Sequence, residues 1–141
     1  MNDDAQLAMQ VDADGVHLGG EDGSVAAARA LLGKDRLIGV SCYNRASLAQ
    51  DAVQQGADYV AFGAFFSSSV KPEAVQADAQ LLNTARSQLN VPIVAIGGIT
   101  QQNGTSLIAA GADALAVITA LWNAPDIEAS AHGFSTLFSK A

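Results

Sequence analysis

The sequence predicts an α/β protein built on a parallel sheet, and three observations lead to this prediction. Short apolar runs alternate with amphipathic stretches along the chain. The apolar runs are nearly continuous, as expected for strands that are buried on both faces. A weak internal repeat, in which Asp follows a small residue, leads into three of the runs at 13–16, 56–59 and 111–114. Strict alternation of strand and helix implies parallel strands joined by right-handed crossovers.

Five apolar runs are the candidate strands, and their lengths are typical of buried strands. In chain order they are Gly15–Gly19, Leu37–Ser41, Tyr59–Gly63, Ile93–Gly97 and Ala114–Ile118. The most apolar stretch, 91–99, contains Pro92 and two glycines. A membrane-spanning helix needs about 20 apolar residues, so we expect no membrane association.

Helices are predicted between the strands, because each amphipathic stretch has a capping residue before it or a glycine after it. We expect Ser24 and Asn44 to cap helices that end at Gly33 and Gly56. The later helices are expected from Glu73 to Leu89, with Leu81, Leu82, Ala85 and Leu89 on one face; from about Gln102 to Ala110; and from about Pro125, with Ile127, Ala131, Phe134 and Phe138 turned inward.

Composition excludes several classes of function. The chain has 141 residues, of which 50% are hydrophobic, and a formal net charge of −7. Lys and Arg total 7 and are scattered, so no basic surface for nucleic acid is expected. The single cysteine, Cys42, cannot form an internal disulfide, and the acidic start at 1–4 is unlike a secretory signal. Both features indicate a cytoplasmic protein.

Two architectures fit alternating strands and helices: a doubly wound sheet and a (β/α)₈ barrel. No G-x-G-x-x-G motif follows the first strand, which counts against a dinucleotide-binding sheet. A barrel of the TIM type has about 250 residues. We therefore predict that residues 1–141 form a single domain, a parallel (β/α) barrel that is N-terminally incomplete, with about five βα units. Its open sheet edges would be covered by a second copy, as a homo-oligomer, or by a partner chain.

Polar side chains and glycines follow the predicted strands, where parallel α/β proteins bind their ligands. Carboxylate, hydroxyl, ammonium and glycine-freed N–H groups together suit a phosphate ester and a magnesium-bound diphosphate. Gly97-Gly98 opens a short helix and could bind phosphate, or could simply form a tight turn. His17 lies inside a strand and is interpreted as a satisfied core histidine. Cys42 has no evident activating partner.

A set of short motifs, each weak alone, resembles the thiamine-phosphate synthase family in order and spacing. The motifs are Asn2-Asp3-Asp4, Gly15–Asp22, Gly39–Ser41, Gly56–Val60, Lys71-Pro72, Val94–Ile99 and Gly111–Asp113. The resemblance implies a TIM-type barrel that joins hydroxymethylpyrimidine diphosphate to thiazole phosphate with release of pyrophosphate, in thiamine biosynthesis. On that template the five strands resemble strands four to eight, and Asn2-Asp3 follows strand three.

The resemblance also implies roles for individual residues, carried over by position. Asp3 and Asp22 would hold Mg²⁺, and Lys71 and Ser41 would take part in catalysis. The residues implied to bind the two small-molecule substrates are Asn2, Ser41, Ser68, Lys71, Gly98, Ile118 and Thr119.

The chain also departs from the pattern of the family. Gly20 stands where glutamine is common, and Ser67 and Val70 replace a proline and a threonine. The basic residues that strand two supplies are absent. Two alternatives stay open: a thiazole tautomerase, against which Tyr43 counts because a histidine is expected there, and a non-catalytic, truncated phosphate-binding remnant or subunit.

Overall fold

The strands form one parallel sheet in the order β1-β2-β3-β4-β5. The structure is a computed structural model that describes residues 1–67, 73 and 75–139. The strands are β1 (Gly15–Leu18), β2 (Leu37–Tyr43), β3 (Tyr59–Phe62), β4 (Ile93–Ile96) and β5 (Ala114–Ala116). Each strand lies within or over its predicted run, which confirms the parallel α/β class. Strand β2 continues past its predicted end, and β5 stops before Ile118.

Helices connect the strands, a short helix precedes β1, and two helices follow β5. They are α1 (Ala5–Gln10), α2 (Val25–Leu32), α3 (Ala46–Gln54), α4 (Ala79–Gln88), α5 (Gln101–Ala109), α6 (Thr119–Trp122) and α7 (Ile127–Phe138). The sequence did not predict α1 or α6, because neither has a long amphipathic pattern. No helix in the described ranges is long and apolar enough to cross a membrane.

Two helix starts differ from the prediction. Helix α3 is preceded by Arg45 as its N-cap, without a side-chain cap. Asn44, the predicted cap, instead donates through Nδ2 to the carbonyl oxygen of Gln76 at 3.2 Å. Helix α4 begins after Asp78, later than Glu73, because the Asp78 carboxylate accepts from the backbone N–H of Leu81 at 3.1 Å. A side chain that satisfies an otherwise unpaired helix N–H fixes where the helix starts.

The inward face of α7 is rotated from the predicted one. Phe134 is buried, but Ile127 and Phe138 are exposed, and so is Ala131. The reason is a close contact with α5: a Cβ atom at Gly133 would lie 2.5 Å from Nε2 of Gln101. A polar helix–helix contact, which hydropathy does not register, therefore sets the orientation of α7.

The apolar core lies between the sheet and the helices that cover it. Alternate strand residues fill it, such as Val16 and Leu18 of β1, whereas the other face of the sheet carries the half-buried polar side chains of His17, Ser41 and Tyr59. The expectation that the strands are buried on both faces is therefore wrong, because one face of the sheet borders the open space of a cleft. The largest fully buried side chains are Phe62, Leu18, Ile38, Leu82, Ile93, Leu107, Val60 and Cys42.

The repeated aspartates fasten neighbouring strands at the N-terminal end of the sheet. Oδ2 of Asp58, just before β3, accepts from the backbone N–H of Ile38 in β2 at 2.7 Å and from Nη2 of Arg29 at 2.5 Å. Asp113, just before β5, repeats this arrangement: its Oδ2 accepts from the N–H of Ile93 at 2.8 Å and from Nη1 of Arg86 at 3.0 Å. Two of the three aspartates of the internal repeat therefore connect a strand to its neighbour through the side chain, whereas at Asp14 the backbone carbonyl oxygen accepts from the N–H of Leu37 at 2.9 Å.

The first residues of the chain continue the sheet beside β1. Asn2 forms an isolated parallel bridge with His17. The N–H of Asp3 donates to the carbonyl oxygen of His17 at 2.8 Å, and the N–H of His17 donates to that of Met1 at 3.0 Å. This places Asn2 and Asp3 at the same edge of the sheet as the C-terminal strand ends.

Candidate functional site

An open cleft of about 950 Å³ lies at the C-terminal ends of the strands. Residues in or directly after each of the five strands line it, and so do Asn2 and Asp3 of the segment that pairs with β1. The cleft-lining residues that the sequence singled out are Asn2, Asp3, Asp22, Ser41, Gly98, Ile118 and Thr119. Ser68 and Lys71 lie outside the described residues. The structure therefore brings together every described candidate.

The carboxylates form one side of the cleft. Oδ1 of Asp3 accepts from Nδ2 of Asn2 at 2.5 Å, and Oδ2 of Asp22 accepts from the backbone N–H of Gly19 at 2.6 Å. In both cases the hydrogen bond uses one carboxylate oxygen. The other oxygen of each can serve a cation or a ligand donor.

The glycine pair forms the opposite side of the cleft, at the start of α5. Gly98 has φ +60°, a conformation that glycine adopts at little cost. A Cβ atom there would lie 2.5 Å from the carbonyl oxygen of Ser67 and 2.6 Å from that of Phe66. Thr100 caps the helix in a reciprocal capping box with Asn103. The start of α5 can therefore pack against the 66–67 segment only if residue 98 has no side chain.

The start of α6 lies beside this glycine pair. Ile118 is the N-cap of α6, Thr119 is its first residue, and both line the cleft. Helix starts expose backbone N–H groups that have no partner within the helix. Together with Gly97-Gly98, these groups form a surface suited to an anion.

His17 joins two other polar side chains at the floor of the cleft. Its Nδ1 lies 3.0 Å from the hydroxyl oxygen of Tyr59, and its Nε2 lies 2.9 Å from Oγ of Ser41. His17 and Ser41 both line the cleft. The interpretation of His17 as a core histidine was thus incomplete: the ring is hydrogen-bonded on both sides, as a core histidine would be, but it faces the ligand space.

Burial governs the titration of this group of side chains. Burial lowers the pKa of His17, while the carboxylates of Asp3 and Asp22 act in the opposite direction. Burial also raises the pKa of the Tyr59 hydroxyl. Both groups are therefore neutral at neutral pH.

Tyr43 covers another part of the cleft. Its hydroxyl oxygen accepts from the backbone N–H of Gly20 at 3.1 Å, and its φ is +54°. A Cβ atom at residue 20 would lie 3.2 Å from that hydroxyl. The glycine that departs from the family pattern therefore leaves room for the ring of Tyr43.

The sequence model of the family described as thiamine monophosphate synthase matches residues 1–121. This match covers more than half of the chain. The chain belongs to the thiamine monophosphate synthase family. The motif-based assignment made from the sequence is therefore confirmed.

Individual relatives agree with the assignment to this family. A thiamine-phosphate synthase of Methylobacillus flagellatus is 61% identical over 139 residues, which are 99% of this chain and 66% of that protein. One of Nitrosomonas eutropha is 56% identical over 98% of this chain and 65% of that protein. The solved thiamine phosphate pyrophosphorylase from Pyrococcus furiosus superposes with a TM-score of 0.87 at 30% identity, covering 99% of this chain and 66% of that one. The chain thus spans about two thirds of the length of these relatives.

Sequence reasoning missed His17 as a cleft-lining residue and Tyr59 as the hydrogen-bond partner behind it. His17 was a polar residue in an apolar run, which was the only signal it gave. Tyr59 was taken as the first residue of a strand, and its link to His17 depends on strand register, which the sequence does not reveal.

Proposed function

We propose that this chain joins hydroxymethylpyrimidine diphosphate to thiazole phosphate, forming thiamine phosphate and pyrophosphate. The observation that supports this proposal is that the described residues assigned by resemblance to the two substrates line one and the same cleft. The names of the relatives supply the product, thiamine phosphate, and the family resemblance supplies the two substrates.

We assign the thiazole phosphate to the glycine side of the cleft. Gly98 lines the cleft and its missing side chain lets the start of α5 pack against the 66–67 segment, and α5 and α6 begin at this side. Backbone N–H groups at helix starts bind phosphate through hydrogen bonds and a favourable dipole. The hydroxyl of Thr119 adds a further donor.

We assign the diphosphate and Mg²⁺ to the carboxylate side. In the described part of the chain, no group of three or more His, Cys, Asp or Glu side chains is arranged to hold a metal ion. Mg²⁺ is nevertheless commonly held by one or two carboxylates together with substrate phosphates, and Asp3 and Asp22 fit that pattern. When bound, Mg²⁺ would neutralise charge on the leaving diphosphate. Asn2, Ser68 and the ammonium group of Lys71 are proposed to contact the same diphosphate.

The proposed reaction needs alignment more than a protein nucleophile. The bond between the pyrimidine methylene carbon and the diphosphate oxygen breaks, positive charge develops on the aminopyrimidine, and the thiazole nitrogen forms the new C–N bond. Cys42 is buried and burial raises its pKa to about 12, so it cannot attack. The residues of the cleft would hold the two rings in line and stabilise the developing charges.

We also propose that the five βα units are part of a (β/α) barrel of the TIM type, with its N-terminal units missing from residues 1–141. The superposition that covers 66% of the Pyrococcus furiosus enzyme supports this view. So does the bridge of Asn2 to His17, which extends the sheet beyond β1. A second copy or a partner chain would cover the edges, and light scattering of the purified chain tests this.

Formation of thiamine phosphate by the purified chain, supplied with both substrates and Mg²⁺, tests the proposed function. We expect product above the rate without protein, lost on addition of EDTA. Asp22→Asn should lower the rate by about a hundredfold, as expected when one group that stabilises transition-state charge is removed. Asp12→Asn, at the other end of the sheet, is the matched control. Absence of product, with thiazole phosphate still binding in calorimetry, would favour the non-catalytic phosphate-binding alternative.

A further inference from the structure

Three residues on adjacent strands lie at one level of the sheet. His17 of β1 is in register with Gly39 of β2, which is in register with Tyr59 of β3. Residues in register across parallel strands point to the same face. Because Gly39 has no side chain, the ring of Tyr59 extends across it, and a Cβ atom at residue 39 would lie only 2.3 Å from the Tyr59 hydroxyl oxygen.

This arrangement lets Tyr59 reach His17 from two strands away. The two ring centroids are 5.6 Å apart, and the planes are tilted by 32°. Ser41 lies two residues beyond Gly39, on the same face and one layer closer to the cleft. The imidazole therefore connects a phenol below it with a hydroxyl that faces the ligand space.

We propose that Tyr59, acting through His17, is a positioning residue that turns the hydroxyl of Ser41 into the cleft as a hydrogen-bond donor. The Tyr59 O–H donates to Nδ1 of His17. A neutral imidazole carries one N–H, which is then on Nε2 and donates to Oγ of Ser41. The hydrogen of Ser41 has no acceptor in the ring and points to the ligand.

The direction of the chain of hydrogen bonds follows from the chemistry of the groups. A phenol is a better donor than acceptor, and an unprotonated imidazole nitrogen is a strong acceptor. The geometry places the Tyr59 hydroxyl against Nδ1 and the Ser41 hydroxyl against Nε2, so that the phenol is the donor at the deeper end of the hydrogen-bonded series.

The ligand atom that receives the hydrogen bond from Ser41 must be an acceptor. A ring nitrogen of an aminopyrimidine fits, and this part of the inference rests on the proposed function. In the opposite tautomer Ser41 would donate to the ring and could only accept from the ligand. Tyr59 would thus determine which atom of the pyrimidine forms a hydrogen bond with Ser41, without contacting the substrate itself.

Long-range ¹H–¹⁵N correlation spectra of the ligand-free chain at neutral pH test this arrangement directly. The sequence contains two histidines, His17 and His132, and His132→Asn assigns their signals. We expect His17 to show a protonated Nε2 and an unprotonated Nδ1. A protonated Nδ1, or an imidazolium, would overturn the proposal whether or not the chain makes thiamine phosphate.

Variants then separate positioning from simple packing. Tyr59→Phe keeps the ring but should give a mixture of His17 tautomers and weaken binding of hydroxymethylpyrimidine by about fivefold, the effect of one lost hydrogen bond. Tyr43→Phe removes the other tyrosine hydroxyl near the cleft and should leave the tautomer of His17 unchanged. Ser41→Ala should also preserve the tautomer, because Tyr59 sets it. An unchanged tautomer in Tyr59→Phe would contradict the proposed role.

If the tautomer is as expected but no product forms, the proposed function fails and the positioning of Ser41 stands. If product forms but His17 carries its proton on Nδ1, the positioning inference fails and the function stands. The two proposals are therefore tested separately.

Discussion

The hydroxyl oxygen of Tyr59 lies 2.3 Å from the position that a Cβ atom on Gly39 would occupy. Since a real Cβ contact is never so short, residue 39 and residue 59 share one space on the face of the sheet. Because Gly39 has no side chain, the ring of Tyr59 on the next strand can reach His17.

Gly39→Ala should therefore destabilise the fold by about 1–3 kcal/mol, as overpacking commonly does. In a Tyr59→Ala background the same substitution should cost little, because the ring it meets is gone. Urea unfolding of the four proteins in this double-mutant cycle measures the coupling. Equal costs of Gly39→Ala in the two backgrounds would show that the shared space does not matter.

The stability of the chain should depend on pH through His17. Its pKa is lowered in the folded state, so below the ordinary value of 6.5 the unfolded chain binds more protons than the folded one. The free energy of unfolding should fall as pH drops below 6.5, down to the lowered pKa of the folded state. His17→Gln should reduce this fall, and urea unfolding between pH 7.5 and 5.5 measures it. An identical slope in the variant would mean that other groups cause the dependence.

The thiol of Cys42 should be inert while the chain is folded. Burial raises its pKa from 9.0 to about 12, and the thiolate is the reactive form, so at pH 8 alkylation should be roughly a thousandfold slower than in the unfolded chain. Reaction with iodoacetamide, followed by mass spectrometry with and without urea, tests this. Comparable rates in the two states would refute the buried placement.

Gly98→Ala should impair the proposed phosphate site. The new methyl group would meet the carbonyl oxygens of Ser67 and Phe66 and would displace the backbone at the start of α5. Binding of thiazole phosphate should weaken about tenfold or more, since small misplacements at a site are costly. Gly33→Ala is the control, because Gly33 also has a positive φ, +76°, but meets no atom within 4 Å. Equal binding by the two variants in calorimetry would argue against the assignment.

Asp58 should contribute more to stability than Asp12. Asp58→Asn disturbs hydrogen bonds to the Ile38 N–H and the Arg29 guanidinium, and should cost about 1–3 kcal/mol. Asp12→Asn removes an ion pair between Asp12 and Arg36. Because the Asp12 side chain is 89% exposed, this change should lower the free energy of unfolding by less than about 1 kcal/mol. Thermal unfolding of both variants compares them, and a smaller effect at Asp58 would count against its anchoring role.

The sequence predicted the positions of the strands well because each strand lies in a short run of apolar residues. Ile93–Ile96, for example, is recognised as a strand from its apolar residues alone, although only Ile93 and Ala95 of it are buried. The predicted start of α3 and the predicted buried face of α7 were wrong, because both depend on contacts of Asn44 and Gly133 with residues distant in sequence. Local patterns carry no information about such contacts.

The candidate site was predictable only where its residues follow strand ends in a recognisable motif. Asp22 and Gly98 stand directly after predicted strands, so topology alone places them at one edge. His17 and Tyr59 meet across two strand pairings, and their distance follows from register and from the missing side chain of Gly39. Neither fact can be read from a single segment.

The aspartates at 58 and 113 have a consequence for how such a protein can change. They fasten strand to strand at the end of the sheet that faces away from the cleft. Loops at the cleft can therefore be lengthened, shortened or exchanged while the alignment of the strands beneath them is kept. A protein engineer could graft new ligand-binding loops after β3 or β4 and leave these anchors in place, which makes this sheet a suitable frame for altered specificity.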